Sequence, residues 1–140
     1  MIGIIICYKG IEVSKGRFIM NITKKFKDYD INCTVVKMGK DFNISIYGGD
    51  VAHIGAVALG VPRQSLEDKN KISSSVSLLT VVGHKEDVIV QKCAKVLASK
   101  LNSTVVVCCG IHIDDISFEE IKGLIEVVDE MVNELIETII

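Results

Sequence analysis

Three features predict an α+β domain, a mostly antiparallel β-sheet meander with two helices packed on it. Apolar runs joined by short polar connections fill residues 18 to 61, the period changes from strand-like to helical near residue 85, and an amphipathic stripe closes the sequence. With 140 residues, 49% of them hydrophobic, residues 1–140 suit a single domain around one core.

The opening run from Ile2 to Cys7 falls far short of the ~18 apolar residues a membrane span needs, lacks a basic leader and is followed closely by Lys9, Lys15 and Arg17. It is expected to add a strand and a turn, with Met20 as an alternative start, and no membrane partner is expected. Phe18 to Phe26, Ile31 to Met38 and Phe42 to Tyr47 then read as antiparallel strands. Alternation in the last of them puts Phe42, Ile44 and Ile46 on one face and Asn43 and Ser45 on the other. Ile54 to Val61 reads as a small-residue strand ending at Pro62, which lacks the donor a central ladder requires. Arg63 to Ser73 reads as a polar loop able to fold over a ligand, and Ser74 to Val82 as a further strand.

Lys85 to Leu101 has helical spacing, with Val88, Ile89, Lys92 and Val96 beside Ala94, Leu97 and Leu101. Glu86 and Asp87 fall in the expected first turn, where negative charge complements the helix dipole. Thr104 to Cys109 is an unbroken β-branched and cysteine run, the pattern of a buried strand. Ser117 with Glu120 makes a capping box for a final helix whose stripe is Ile121, Leu124, Ile125, Val128, Val132, Leu135 and Ile139. Its apolar end, Ile136, Ile139 and Ile140, suggests a contact between copies.

A net charge of -2 gives no broad positive field, so nucleic acid is not an expected partner. The 5 cysteines form no CxxC pair, and their odd number and core-like settings suit a reducing, cytoplasmic compartment rather than disulfides. Cys109, beside Gly110, is the candidate for a reactive thiol. Neither GxGxxG after a first strand nor GxxxxGK[ST] occurs, which removes both nucleotide-binding fingerprints.

The chemistry concentrates around the 3 histidines, each near glycine at an expected strand end: Gly48-Gly49-Asp50-Val51-Ala52-His53-Ile54-Gly55, Gly83-His84-Lys85 and Gly110-Ile111-His112-Ile113-Asp114. Glycine admits close backbone approach and imidazole donates, accepts or ligates, so the blocks read either as one lined pocket or as separate structural turns. Near a helix start, His84 and Lys85 suit an anion such as a phosphate, or else His84 caps the helix. Asp50 is placed to orient an imidazole or take a ribityl hydroxyl, and Arg63 to pair with an anionic group. His112 and Asp114 alternate toward one side. His53, His84 and His112 with Asp50 or Asp114 also compose a zinc- or iron-type ligand set, although without HxH or HExxH spacing it depends on tertiary convergence.

The same blocks, continued through Ala56-Val57-Ala58-Leu59, Pro62-Arg63, Ser75-Val76-Ser77 and Glu86-Asp87, resemble the family of the gallate decarboxylase D component, described as prenylated flavin chaperone-like and similar in fold to proteasome assembly chaperones. The resemblance runs from about Ile31 to Leu135, and residues 1–30 diverge. Where the family often has proline before its first histidine, this chain has Ala52. The resemblance implies a non-catalytic, homodimeric accessory protein that binds prenylated FMN or FMN and delivers it to the catalytic subunit of an aromatic-acid decarboxylase. His53, His84 and His112 would line the pocket, with Gly48, Gly49, Asp50, Gly55 and Asp114 around them and Arg63 and Lys85 on the phosphate. Two other classes remain: a protein-assembly chaperone working through its sheet edge and last helix, and a metal-dependent enzyme with histidine ligands and Asp50 or Glu86 as general base.

Overall fold

The computed structural model describes residues 6–8, 11–14, 17–81 and 86–140, with side chains from residue 18 onward. In chain order they form β1 (Ile6–Tyr8), β2 (Ile11–Ser14), β3 (Arg17–Phe26), β4 (Tyr29–Met38), β5 (Asp41–Gly49), β6 (Val51–Gln64), β7 (Ile72–Thr80), α1 (Asp87–Leu101), β8 (Val105–His112) and α2 (Phe118–Ile139). The strands make one 8-stranded mixed sheet in the order β1-β2-β3-β4-β5-β8-β6-β7. Each of β1 to β4 pairs antiparallel with the next, β8 runs parallel to β5 and antiparallel to β6, and β7 closes the far edge.

The meander follows from alternation and turn chemistry. Lys27 (φ 53°) turns β3 into β4, and Gly39 (φ 62°) turns β4 into β5. Met20 and Ile22, Ile31, Cys33 and Val35, and Phe42, Ile44 and Ile46 all face one buried side. Val105, Val107 and Cys109 of β8 and Ala56 and Ala58 of β6 continue that surface, and both helices pack on it. Among the described residues, neither helix covers the opposite face. Its β3–β5 part is polar, with the Thr34 hydroxyl donating to Asn21 Oδ1 at 2.8 Å and lying 3.2 Å from the Tyr47 hydroxyl. Its β6–β7 part is apolar, with Leu59 and Leu79 exposed.

Two sequence expectations need correction here. Pro62 does not end β6, which runs on to Gln64. The Val81 amide donates to the Gly55 carbonyl, so odd-numbered β6 residues make the hydrogen-bonded pairs with β7, and Pro62, opposite Ser74, needs no donor toward β7. Toward β8 the ladder has already stopped at Gly60. The polar segment between β6 and β7 accordingly shrinks to residues 65–71, with Arg63 inside the strand.

The second correction concerns α1. Its buried face is Val90, Cys93, Ala94, Leu97 and Ala98, while Val88 is 62% exposed and Lys92 reaches outward to Asp129 at 2.8 Å. Ile89 and Val96 pack partly against the core. The helix lies low over β6 and β7 because a Cβ at Gly60 would run into the Ala94 carbonyl and the Ala98 methyl, and Ser74 Oγ donates to the Lys95 carbonyl at 2.7 Å. Its N-cap position is held by Glu86, and His84 lies outside the described residues.

α2 forms as the sequence expects. Ser117 Oγ accepts from the Glu120 amide at 3.1 Å, and Leu124, Val128, Met131, Val132 and Leu135 are buried. Glu120 also binds Lys27 of the β3–β4 turn, and Lys24 reaches Glu134 at 2.9 Å, tying α2 along β3. Among the described residues, no helix is long and apolar enough to cross a membrane.

Two outcomes are expected. Gly60→Ala should lift α1 from the sheet and cost about 1–3 kcal/mol, as overpacking does, measured by urea unfolding. The Lys27 ammonium and then the Ser117 groups hold the Glu120 carboxyl below its ordinary range. Because that value is depressed in the folded state, the stability from this contact is present at neutral pH and is lost as pH falls through the carboxylate range. Glu120→Gln should therefore flatten the acid limb of thermal stability against pH.

Candidate functional site

The site grows out of a break in the β6–β8 ladder. Ala52 pairs with Ile111 and Ala56 with Cys109, so His53, Ile54 and Gly55 stand opposite the single residue Gly110. The bulge needs that glycine, because a Cβ on Gly110 would run into the His53 carbonyl. A Cβ on Gly55 would likewise run into the Glu86 carboxylate, which fills the space under the bulge.

His53 is held from both sides. Its Nε2 lies 2.9 Å from Glu86 Oε1, and its Nδ1 lies 3.2 Å from the Val51 carbonyl oxygen. Both ring nitrogens thus face oxygens, and the ring is fixed between the carboxylate and the backbone. The side chains of His53 and Glu86 are only 17% and 9% exposed, which strengthens the contact and makes either group costly to leave alone.

A second histidine–carboxylate pair sits beside the first. His112, the last residue of β8, places Nε2 2.9 Å from Asp114 Oδ1, and its ring meets that of His53 edge-on at 6.4 Å between centroids. Among the described residues, Asp50 bonds to backbone and to a tyrosine rather than to an imidazole. It occupies the β5–β6 turn, where its amide donates to the His112 carbonyl at 2.6 Å. Its Oδ2 accepts from the Asp114 amide at 2.8 Å and from the Tyr29 hydroxyl at 3.3 Å. Desolvation and then the Asp50 carboxylate raise the Tyr29 hydroxyl above its ordinary value. Gly49 (φ 82°) permits this turn to press against His112, and Gly48 closes β5 opposite Ile31.

The two blocks around His53 and His112 therefore converge, bringing Gly48, Gly49, Asp50, Gly55 and Asp114 with them. Arg63 does not join them. It lies ten residues along β6, roughly 30 Å away at strand rise, where Nε donates to Ser75 Oγ at 2.9 Å. The 65–71 loop is at that same far end. His84 and Lys85 fall outside the described residues. Among the described residues, no three His, Cys, Asp or Glu side chains are grouped to hold a metal ion.

An open cleft of about 390 Å³ adjoins the bulge on the sheet face opposite the helices, lined by Ser45, Tyr47, Ala52, His53, Ile54 and Cys108. Of these, only His53 is prominent in the sequence. Ser45 and Tyr47 were discoverable as the outward positions of an alternating strand, whereas Cys108 was concealed in an apolar run. Cys109 is no reactive thiol: it is buried, and desolvation raises it together with Cys33 and Cys93, the latter two to about 12. Cys108, half-exposed in the cleft, is also raised by desolvation.

The His53–Glu86 contact supports a direct test. Glu86→Gln keeps the shape and removes the charge, and should cost about 1.5–3 kcal/mol, the range for a hydrogen bond to a charged group. In a double-mutant cycle with His53→Gln, measured by denaturant unfolding, the second substitution should add little to the first.

No curated protein matches the chain. Among solved structures, its fold is similar to a chain in the crystal structure of a novel chaperone complex for yeast 20S proteasome assembly, with a TM-score of 0.50 and 11% identity over 84% of this chain and 94% of that one. That likeness extends to the mostly antiparallel sheet with two helices. Residues 25–140 match the family model described as the prenylated flavin chaperone LpdD-like domain, which spans the cleft, both histidine–carboxylate pairs and both helices. The chain belongs to the prenylated flavin chaperone LpdD-like family.

Proposed function

We propose that the chain is a homodimeric, non-catalytic accessory protein that takes up flavin mononucleotide, prenylated or unmodified, at the His53 cleft and hands it to an aromatic-acid decarboxylase. The observation carrying this reading is the cleft itself. It joins an apolar floor to a few polar groups, and its volume of about 390 Å³ lies in the range of small-molecule sites. Ala52, Ile54 and Cys108 offer apolar contact, Tyr47 and His53 aromatic rings, and Ser45 a hydrogen-bonding group.

The residues present fit such a group. The glycines at 55 and 110 let backbone and carboxylate close behind His53 and hold its ring at the cleft wall. With both ring nitrogens engaged, His53 offers a ligand its flat ring, which suits contact with a planar aromatic group. The bound flavin would supply the chemistry of decarboxylation only within the partner enzyme; this chain's side chains bind, orient and shield. An open cleft suits release as well as capture, which a carrier requires. His84 and Lys85, which lead into α1 in sequence, are the candidates for the phosphate, and Arg63 is too distant within one chain to share it.

The test is anaerobic titration of flavin mononucleotide into stripped protein, followed by flavin fluorescence. His53→Ala, His84→Ala and His112→Ala should each weaken binding, His53→Ala by about tenfold, the size of one lost aromatic ring contact. Saturating flavin should also slow alkylation of Cys108, read by peptide mass mapping. Unchanged affinity in all three variants, with Cys108 unprotected, would sink the assignment.

A further inference from the structure

The β7 edge is built for pairing with another strand. From Ile72 to Val81 it contains no charged residue and no proline, two of the devices by which exposed edges discourage association. It ends the sheet order beyond β6, and Leu79 and Val81 on it are 76% and 45% exposed. Because the Val81 amide points to Gly55, the amides of Leu79 and Ser77 also turn inward, and those of Val76, Leu78 and Thr80 point outward from the sheet.

We propose that this edge pairs antiparallel with the β7 edge of a second copy, about a two-fold axis at Leu79, joining the two sheets into one. The proposal rests on the homodimer of the preceding reading and names its surface. Two features select a second copy in this register. First, α1 lies over β6 and β7, so α1 and its symmetry mate would be two strand spacings apart, about 10 Å, which is an ordinary helix-packing distance.

Second, the charges match. Glu86 abuts Gly55, and Ala94 and Ala98 abut Gly60, so Val57 and its partner Leu79 lie level with the α1 turn at Val90 and Gln91. A two-fold axis there sets Lys95 of each copy opposite Asp87 of the other, four residues either side of Gln91. An axis at Val76 would instead oppose Lys95 to Lys95. Leu79 meets its own copy across the axis, and no like charges face each other along the strand.

The experiment is sedimentation equilibrium on the full chain, whose monomer mass is 15.3 kDa. Wild type should sediment at twice that mass. Thr80→Pro, which removes an outward donor and takes no bond from β6, and Leu79→Lys, a change at a largely exposed side chain, should both give monomers with unchanged far-UV circular dichroism. Lys95→Glu should weaken the dimer about tenfold, and Lys95→Glu with Asp87→Lys should recover it. A monomeric wild type overturns the homodimer itself. A dimer that survives both Thr80→Pro and Leu79→Lys overturns the edge alone. Dissociation by Leu59→Lys, with Thr80→Pro still dimeric, overturns it by placing the second copy on the open sheet face. Flavin affinity is read separately, so its loss or retention bears only on the cleft.

Discussion

The insertion of β8 between β5 and β6 is the constraint on which the rest of the structure depends. Without it the chain holds two separate antiparallel ribbons, β1 to β5 and β6 with β7, and neither can bury its apolar side alone. Parallel pairing with β5 requires the chain to travel back the length of the sheet, and α1 supplies that return. The same strand contributes Val105, Val107 and Cys109 to the core beneath both helices. It ends at Gly110 and His112, so the element that unites the sheet also presents the candidate site.

The site is where that union is imperfect. Three residues of β6 oppose one of β8, and the slack is taken up by a buried histidine–carboxylate contact rather than by ladder hydrogen bonds. Burying a histidine against a carboxylate costs both groups hydration, which their mutual contact and the Val51 carbonyl offset. The pair fixes one imidazole at the wall of the cleft. Both helices pack on one side of the sheet, and the cleft opens on the other.

This division of labour also explains the distribution of polarity. On β3 to β5 the open face is satisfied internally by hydroxyl and amide contacts through Asn21, Thr34 and Tyr47. On β6 and β7 it turns apolar and reaches the edge at Leu79. The cleft and this apolar strip lie on adjacent strands. The long β6 strand separates them from Arg63 and the 65–71 loop, which belong to the opposite end of the molecule.

Alternation and capping were sufficient to read the β3–β5 meander, β8 as a buried strand and α2 with its Ser117–Glu120 box, because each is decided by neighbours in sequence. The family resemblance was legible for the same reason, in ordered local blocks around His53 and His112. Pro62 misled because its missing donor matters only if a partner strand lies beside it, and β8 stops at Gly60. The face of α1 misled because Gly60, Ala94 and Ala98 allow the helix to sit low and turn Val90 and Cys93 inward, leaving Val88 outside. Sequence by itself determined the elements, their periods and the residues rich in chemistry. Only the tertiary structure decided that Glu86 would lie buried against His53, that Asp50 would serve Asp114 and Tyr29, and that Arg63 would be remote, because those outcomes depend on register and on a three-residue bulge between strands far apart in the chain.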